Sequence, residues 1–366
     1  PGTLVNLGAV YLNMGRLADA RSVTEGLSEP GFRYLLAFLD GDASEMERQA
    51  SGVPPGSVEE LDMRAREAQA AMAAGRLRAG RQLVGRAETL GLQLGLLELT
   101  SQVLATHAVW ESEVGDPRLA EQIAAAALSM SENASTRALA VLTFARTGAT
   151  SRAEAVMKRI ESGPAEVDPA VAAGSRRKLA AALALASNRP ADVIDALDAM
   201  HPYEDGGVIN HVALRGDLAE LGVHHLRGLA RLALGQGAEA AAEFQRIGDQ
   251  RGVSPLSPYY ALAPLNLARA HALSGDRAAA ARFFGCEHQR VQSRPRPARG
   301  DCRTAGPDPA RGARSDPQAL AARTADRAGG HGRGLRLAPR VDRQGHRRGA
   351  QVLASAGRPV AATRRE

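Results

Sequence analysis

The residues able to do chemistry are few, and their spacing argues against catalysis. His224 and His225 are adjacent. On a helix their side chains diverge, so they cannot chelate one metal as an i, i+4 pair could. With His107 and His211 they read as surface or groove residues. Cys286 and Cys302 have neither Cys-x-x-Cys nor histidine partners at ligand spacing, so no metal site is expected there. Asp40, Asp42 and Glu45 could suggest a cation site, but the turn residues beside them make a helix start the simpler reading. Gly235-Gln236-Gly237-Ala238-Glu239-Ala240 fits a dinucleotide fingerprint ending in alanine. That fingerprint requires a preceding strand, and the pattern before it is helical, so a turn is expected instead. A kinase would need a glycine-rich phosphate loop, a strand lysine, a catalytic-loop aspartate and an Asp-Phe-Gly. The chain has none of them, and its two lysines, Lys158 and Lys178, fall in helical segments. The expectation is therefore no catalytic, cofactor-binding or metal-ligating residue, no cofactor, and no enzyme in this chain. Trp110, at the end of an apolar helix, is read as core.

The elements that carry these residues follow from composition. Of 366 residues, 44% are hydrophobic but only 3% aromatic. So few rings cannot fill an interior of this size in the usual way. Alanine and leucine must do it, which suits closely packed helices. No apolar run is long enough to span a membrane, and two cysteines exclude a disulfide framework. A cytoplasmic location is expected. The chain starts at Pro1 without a charged-then-apolar leader and reads as a fragment of something longer.

The net charge of +6 is unevenly placed. Residues 285–366 hold 18 Arg, no Lys and 7 acidic residues, or +11. Residues 1–284 hold 28 basic and 33 acidic residues, or −5. Arg, Ala, Gly and Pro dominate the tail, which contains no aromatic residue. Such a segment buries too little apolar surface to offset its chain entropy, so disorder is expected. Its composition is also what a shifted reading frame of GC-rich DNA produces. A basic arm for nucleic acid is the rival reading, but it would lack stacking platforms, and nucleic acid is not the expected partner.

Residues 1–284 carry an internal repeat. A turn residue recurs as Gly15, Gly41, Gly75, Gly115, Gly148, Asn188, Gly235 and Gly275. Each is expected to take the left-handed conformation that ends a helix, which glycine and then asparagine tolerate best. Five residues after most of these turns stands a small or short apolar residue: Ala20, Gly80, Ala120, Ala153, Val193, Ala240 or Ala280. Nine later a larger one is frequent: Val84, Met157, Leu197, Phe244, Phe284. Small at a crossing and large at its flank is what packed helix pairs require. In the first unit Leu4, Leu7 and Tyr11 share a helix face, and Gly8 and Ala20 stand at the crossing. Ala68 and Ala108 replace Gly8 in later units, with Glu67 and His107 before them. Linkers are expected at 52–56, 162–164 and 201–207.

Leu4, Leu7, Gly8, Tyr11 and Ala20 resemble the tetratricopeptide repeat. The stretch Ala242–Ile247, Gln250–Gly252, Ser254-Pro255-Leu256, Leu265–Ala270, Leu273–Asp276 and Ala279–Arg282, with His201–Glu204, is more specific. It is similar to the C-terminal repeat region of bacterial eukaryotic-like serine/threonine protein kinases, over roughly residues 1–284. A similar region follows winged-helix domains in some bacterial regulators. The resemblance implies an all-α, right-handed solenoid of about eight helical hairpins at 1–284, followed by the tail at 285–366. It also implies a sensory or docking scaffold that takes a protein or peptide partner in its concave groove. The alternatives are the repeat region of a winged-helix transcriptional regulator, or nucleic-acid binding through the basic tail.

Overall fold

The computed structural model describes residues 2–163, 169–198, 220–250 and 252–283. These lie in the first of two units, Pro1–Cys302; the second, Arg303–Glu366, is outside them. Also outside are His211, Phe284, Cys286, Cys302, Pro164 and the 201–207 linker, and so is the tail expected to be disordered.

Every regular element among the described residues is a helix. They pair in chain order: α1 (Gly2–Asn13) with α2 (Leu17–Thr24), α3 (Pro30–Asp40) with α4 (Ala43–Ser51), and α5 (Val58–Ala73) with α6 (Leu77–Gln93). Next come α7 (Leu97–Val114) with α8 (Pro117–Met130), and α9 (Ala134–Thr147) with α10 (Thr150–Glu161). Then follow α11 (Pro169–Ala186) with α12 (Pro190–Asp198), and α13 (Glu220–Ala233) with α14 (Gly237–Asp249). The last first-helix, α15 (Pro258–Leu273), precedes helical residues 277–283. From α3 onward the first helix of each pair packs on the first helix of the next. The result is a helical-repeat architecture.

The turns explain the pairing. Gly15, Gly41, Gly75, Gly148, Gly235, Gly275 and Asn188 all have positive φ, as expected. There the helix ends and the chain reverses. Gly115 does not: its φ is −115°, so its glycine has another cause, described below. Five helix starts are fixed by side chains that satisfy free N–H groups. Asp42 accepts from the Glu45 N–H, confirming the Asp40–Glu45 stretch as a helix start. Ser57, Asp116, Asn133 and Ser257 do the same for α5, α8, α9 and α15.

The crossings are as small as the repeat demands. Ala20, Ala120, Ala153, Val193 and Ala240 have no exposed surface, and Ala280 is buried. A Cβ on Gly80 would lie 2.7 Å from Met72 Cγ, and one on Gly228 2.6 Å from the Phe244 ring. The flanking Val84, Met157, Leu197 and Phe244 are buried too, as are Ala68, Ala108 and Trp110. A continuous core runs from Leu61 on α5 to Ala230 on α13.

Candidate functional site

On each first helix the crossing residue stands seven positions before the turn, as Gly8, Ala68 and Ala108 do. Helix geometry turns positions six and nine before it to the opposite face. These inner positions are Arg66 and Gln69 on α5, Thr106 and Val109 on α7, and Asn266 and Arg269 on α15. On α9 and α11 they are apolar: Leu139 and Leu142, Leu179 and Ala182. All of these except Arg269 are buried. On α3 the same positions, Phe32 and Leu35, are buried too, but on α1 Asn6 is exposed and Ala9 half-buried, so the inner face is covered from α3 to α11 and reaches solvent at Asn6 and Arg269. α15 packs against α7 as well as α13, which places the end of the stack against its middle.

The segment from Gly252 to Ser257 contributes to the closure. It joins α14 to α15, and its two ends enter different cores. Val253 packs with Leu221, Phe244 and Tyr259. Leu256, 3% exposed, packs with Tyr34 and Leu35 of α3, Ala50, Val53, and Met63 and Ala70 of α5. At its start Gly252 lies so close to the Leu12 carbonyl oxygen that no side chain would fit. Ser254 holds φ +44°, a region that non-glycine residues seldom occupy. The segment is a strap drawn across from the last hairpins to the first.

Arg66 lies on the same face of α5 as Met63 and Ala70, at helical spacings of three and four. Its Nε donates to Asp62 Oδ2 at 2.7 Å. Its guanidinium also lies 3.1–3.3 Å from where a Cβ on Gly31 of α3 would be, so Gly31 leaves it room. The side chain is 7% exposed, and Nη1 has no hydrogen-bond partner. A buried cationic donor without an acceptor is costly, and a ligand oxygen would relieve that cost.

Three ion-pair clusters tie helices together. Glu111 on α7 receives Arg81 Nε and Nη2 of α6 at 2.7 Å each, His107 Nε2 at 3.1 Å and the Asp116 N–H. Burial pushes its carboxyl up, but Arg81, His107 and the Asp116 N–H together hold it well below the usual carboxylate range. A Cβ on Gly115 would collide with Glu111 Oε2, so glycine is needed there for space rather than for left-handed backbone. Glu113 accepts from Arg146 Nε of α9 at 2.9 Å, and its Oε1 lies 3.7 Å from His225 Nε2 of α13. Burial raises its carboxyl while His225 and Arg146 lower it, and the lowering prevails. His225 in turn stacks on Tyr259 of α15, with centroids 4.3 Å apart. Glu243 of α14 binds His224 Nδ1 at 2.7 Å, and Arg227 reaches the Leu197 carbonyl at 3.0 Å.

These contacts correct one expectation. His107, His224 and His225 are buried and engaged with carboxylates, not surface residues. As adjacent residues, His224 and His225 do diverge: one faces α14 and the other α7 and α15. The Gly235–Ala240 stretch follows helix α13 and forms the turn into α14. Lys158 and Lys178 lie on α10 and α11. Among the described residues no group of three or more His, Cys, Asp or Glu is placed to hold a metal ion. No described helix is long and apolar enough to cross a membrane.

The sequence pattern did not single out Arg66 or Leu256 as a pair. The signal that could have found them was an arginine on the inner face of a helix, among positions that are apolar in α9 and α11. In comparisons with known proteins, no family model, no curated protein and no solved structure matches the chain.

Proposed function

We propose that residues 1–284 form a tetratricopeptide-like solenoid that acts as a non-catalytic docking scaffold for a protein or peptide. Its use is that of the repeat region of a bacterial serine/threonine protein kinase. The observation that carries this reading is the hairpin order: from α3 to α15 each first helix packs on the next, and stacked hairpins present a continuous series of equivalent positions. On that inner face Asn6 and Arg269 are exposed. Polar groups at such positions set the register of an extended partner while its apolar anchors supply affinity.

Peptide selection from a random display library, against the full chain, tests the proposal. The selected peptides should converge on an apolar anchor, and their binding should persist in high salt and after removal of 285–366. Binding that collapses with salt and disappears with that tail would instead mark a nucleic-acid binder.

A further inference from the structure

We infer that the cleft between α3 and α5 is a docking site for an acidic, leucine-bearing peptide segment, and that the strap Gly252–Ser257 is its built-in placeholder. The inference rests on the docking reading above and goes beyond it by naming the pocket, the peptide chemistry and the regulation.

The cleft has two halves. The apolar half is the buried cluster that Leu256 shares with Tyr34 and Leu35 of α3 and Met63 and Ala70 of α5. The polar half is Arg66, set between Met63 and Ala70 along α5 and beside Gly31 on α3. The strap reads Gly-Val-Ser-Pro-Leu-Ser and carries no acidic side chain. It fills the apolar half and leaves Arg66 Nη1 without an acceptor. A segment that brings both a leucine and a carboxylate satisfies both halves, and charge-assisted hydrogen bonds to guanidinium are the stronger kind.

The strap is also built to leave. Ser254 is held at φ +44°, which costs free energy that is recovered on release. The strap lies between two helices to which it stays tethered, so it competes at an effective concentration on the order of millimolar. A partner therefore binds the intact chain more weakly than it binds a chain whose strap is loosened, by the fraction of molecules that are open.

Fluorescence anisotropy of labelled peptides against the full chain tests this. One probe is the strap sequence Gly252–Pro258, and the other is the same peptide with aspartates flanking the leucine. The acidic probe should bind the intact chain about tenfold more tightly than the strap probe. Leu256→Ala in the chain should tighten both by about tenfold or more, because it removes the internal competitor. Arg66→Met should abolish the preference for the acidic probe while leaving the strap probe's affinity unchanged. Ser254→Gly, which relaxes the strap in place without disturbing any core, should weaken both probes and keeps the test valid if Leu256→Ala unfolds. Equal affinity of both probes, a preference that survives Arg66→Met, or no weakening by Ser254→Gly overturns the inference. Binding of the strap probe alone would overturn the acidic specificity yet leave the docking scaffold standing. Failure of every peptide, library-selected ones included, would remove both.

Discussion

Arg81 grips Glu111 with two parallel hydrogen bonds of 2.7 Å, one to each carboxylate oxygen, across the junction of α6 and α7. Glu111 is 1% exposed and Arg81 40%. Glu111→Gln should therefore destabilise the chain by about 2 kcal/mol, toward the lower end for hydrogen bonds to charged groups because solvent reaches Arg81. Gly115→Ala should do comparable damage by pushing the carboxylate off its partners. Chemical denaturation of both variants checks this. An unchanged midpoint for Gly115→Ala would mean that the carboxylate does not need the space.

Acid should unfold the protein through the same glutamates. Glu111, Glu113 and Glu243 all have folded-state affinities for protons below the ordinary value. A depressed carboxylate contributes stability that is complete above its unfolded pKa, about 4.3, and is lost as pH falls toward the folded value. Stability should be flat from neutral pH to roughly pH 5 and decline steadily below. Glu111→Gln should flatten that decline. Denaturation midpoints measured across pH 3–7 decide it, and a decline that begins near neutrality would contradict the assignment.

Two glycines at crossings should respond differently to alanine. At Gly228 the new methyl meets a rigid ring, with Phe244 Cε1 and Cζ both at 2.6 Å. Overpacking of that kind costs about 1–3 kcal/mol. At Gly80 the nearest atoms are Cγ and Cε of the flexible Met72 side chain, which must shift, and the Ala68 carbonyl oxygen at 3.1 Å, which is tight without colliding. There the gain in helix propensity, about 1 kcal/mol, should offset most of the cost. Thermal melts of Gly228→Ala and Gly80→Ala should separate clearly, with Gly228→Ala the lower.

Asn188, at φ 56°, stands where the other hairpins but one use left-handed glycine. Asn188→Ala should cost about 1–2 kcal/mol, while Asn188→Gly should be neutral or mildly stabilising. Equal melting temperatures for the two variants would show that the turn is not under conformational strain.

Much of this fold was legible because turn chemistry and crossing size are local properties. Positive φ at Gly15, Gly41 and Asn188, and the buried small residues at Ala20, Ala153 and Ala240, follow from spacing alone. Gly115 misled because glycine also serves where a neighbouring side chain needs room, and Glu111 comes from the preceding turn of helix. His224 and His225 misled because their carboxylate partners, Glu243 and Glu113, are distant in sequence, whereas His107 pairs along its own helix with Glu111, four residues on. The closure of the inner face was half visible: Leu139, Leu142 and Leu179 are too apolar for an open groove. What covers the first hairpins was not legible, since nothing local in Ser254-Pro255-Leu256 reveals that Leu256 inserts beside Tyr34 and Met63.

The most direct test of the docking scaffold is photo-crosslinking from two exposed positions of the full chain in its native cell. Arg269 is on the inner face of α15, and Thr89 is on α6, outside that row. A photoreactive residue at Arg269 should give a discrete protein adduct, and Thr89 should give none. Equal adducts from both positions, or adducts with nucleic acid alone, would contradict the account.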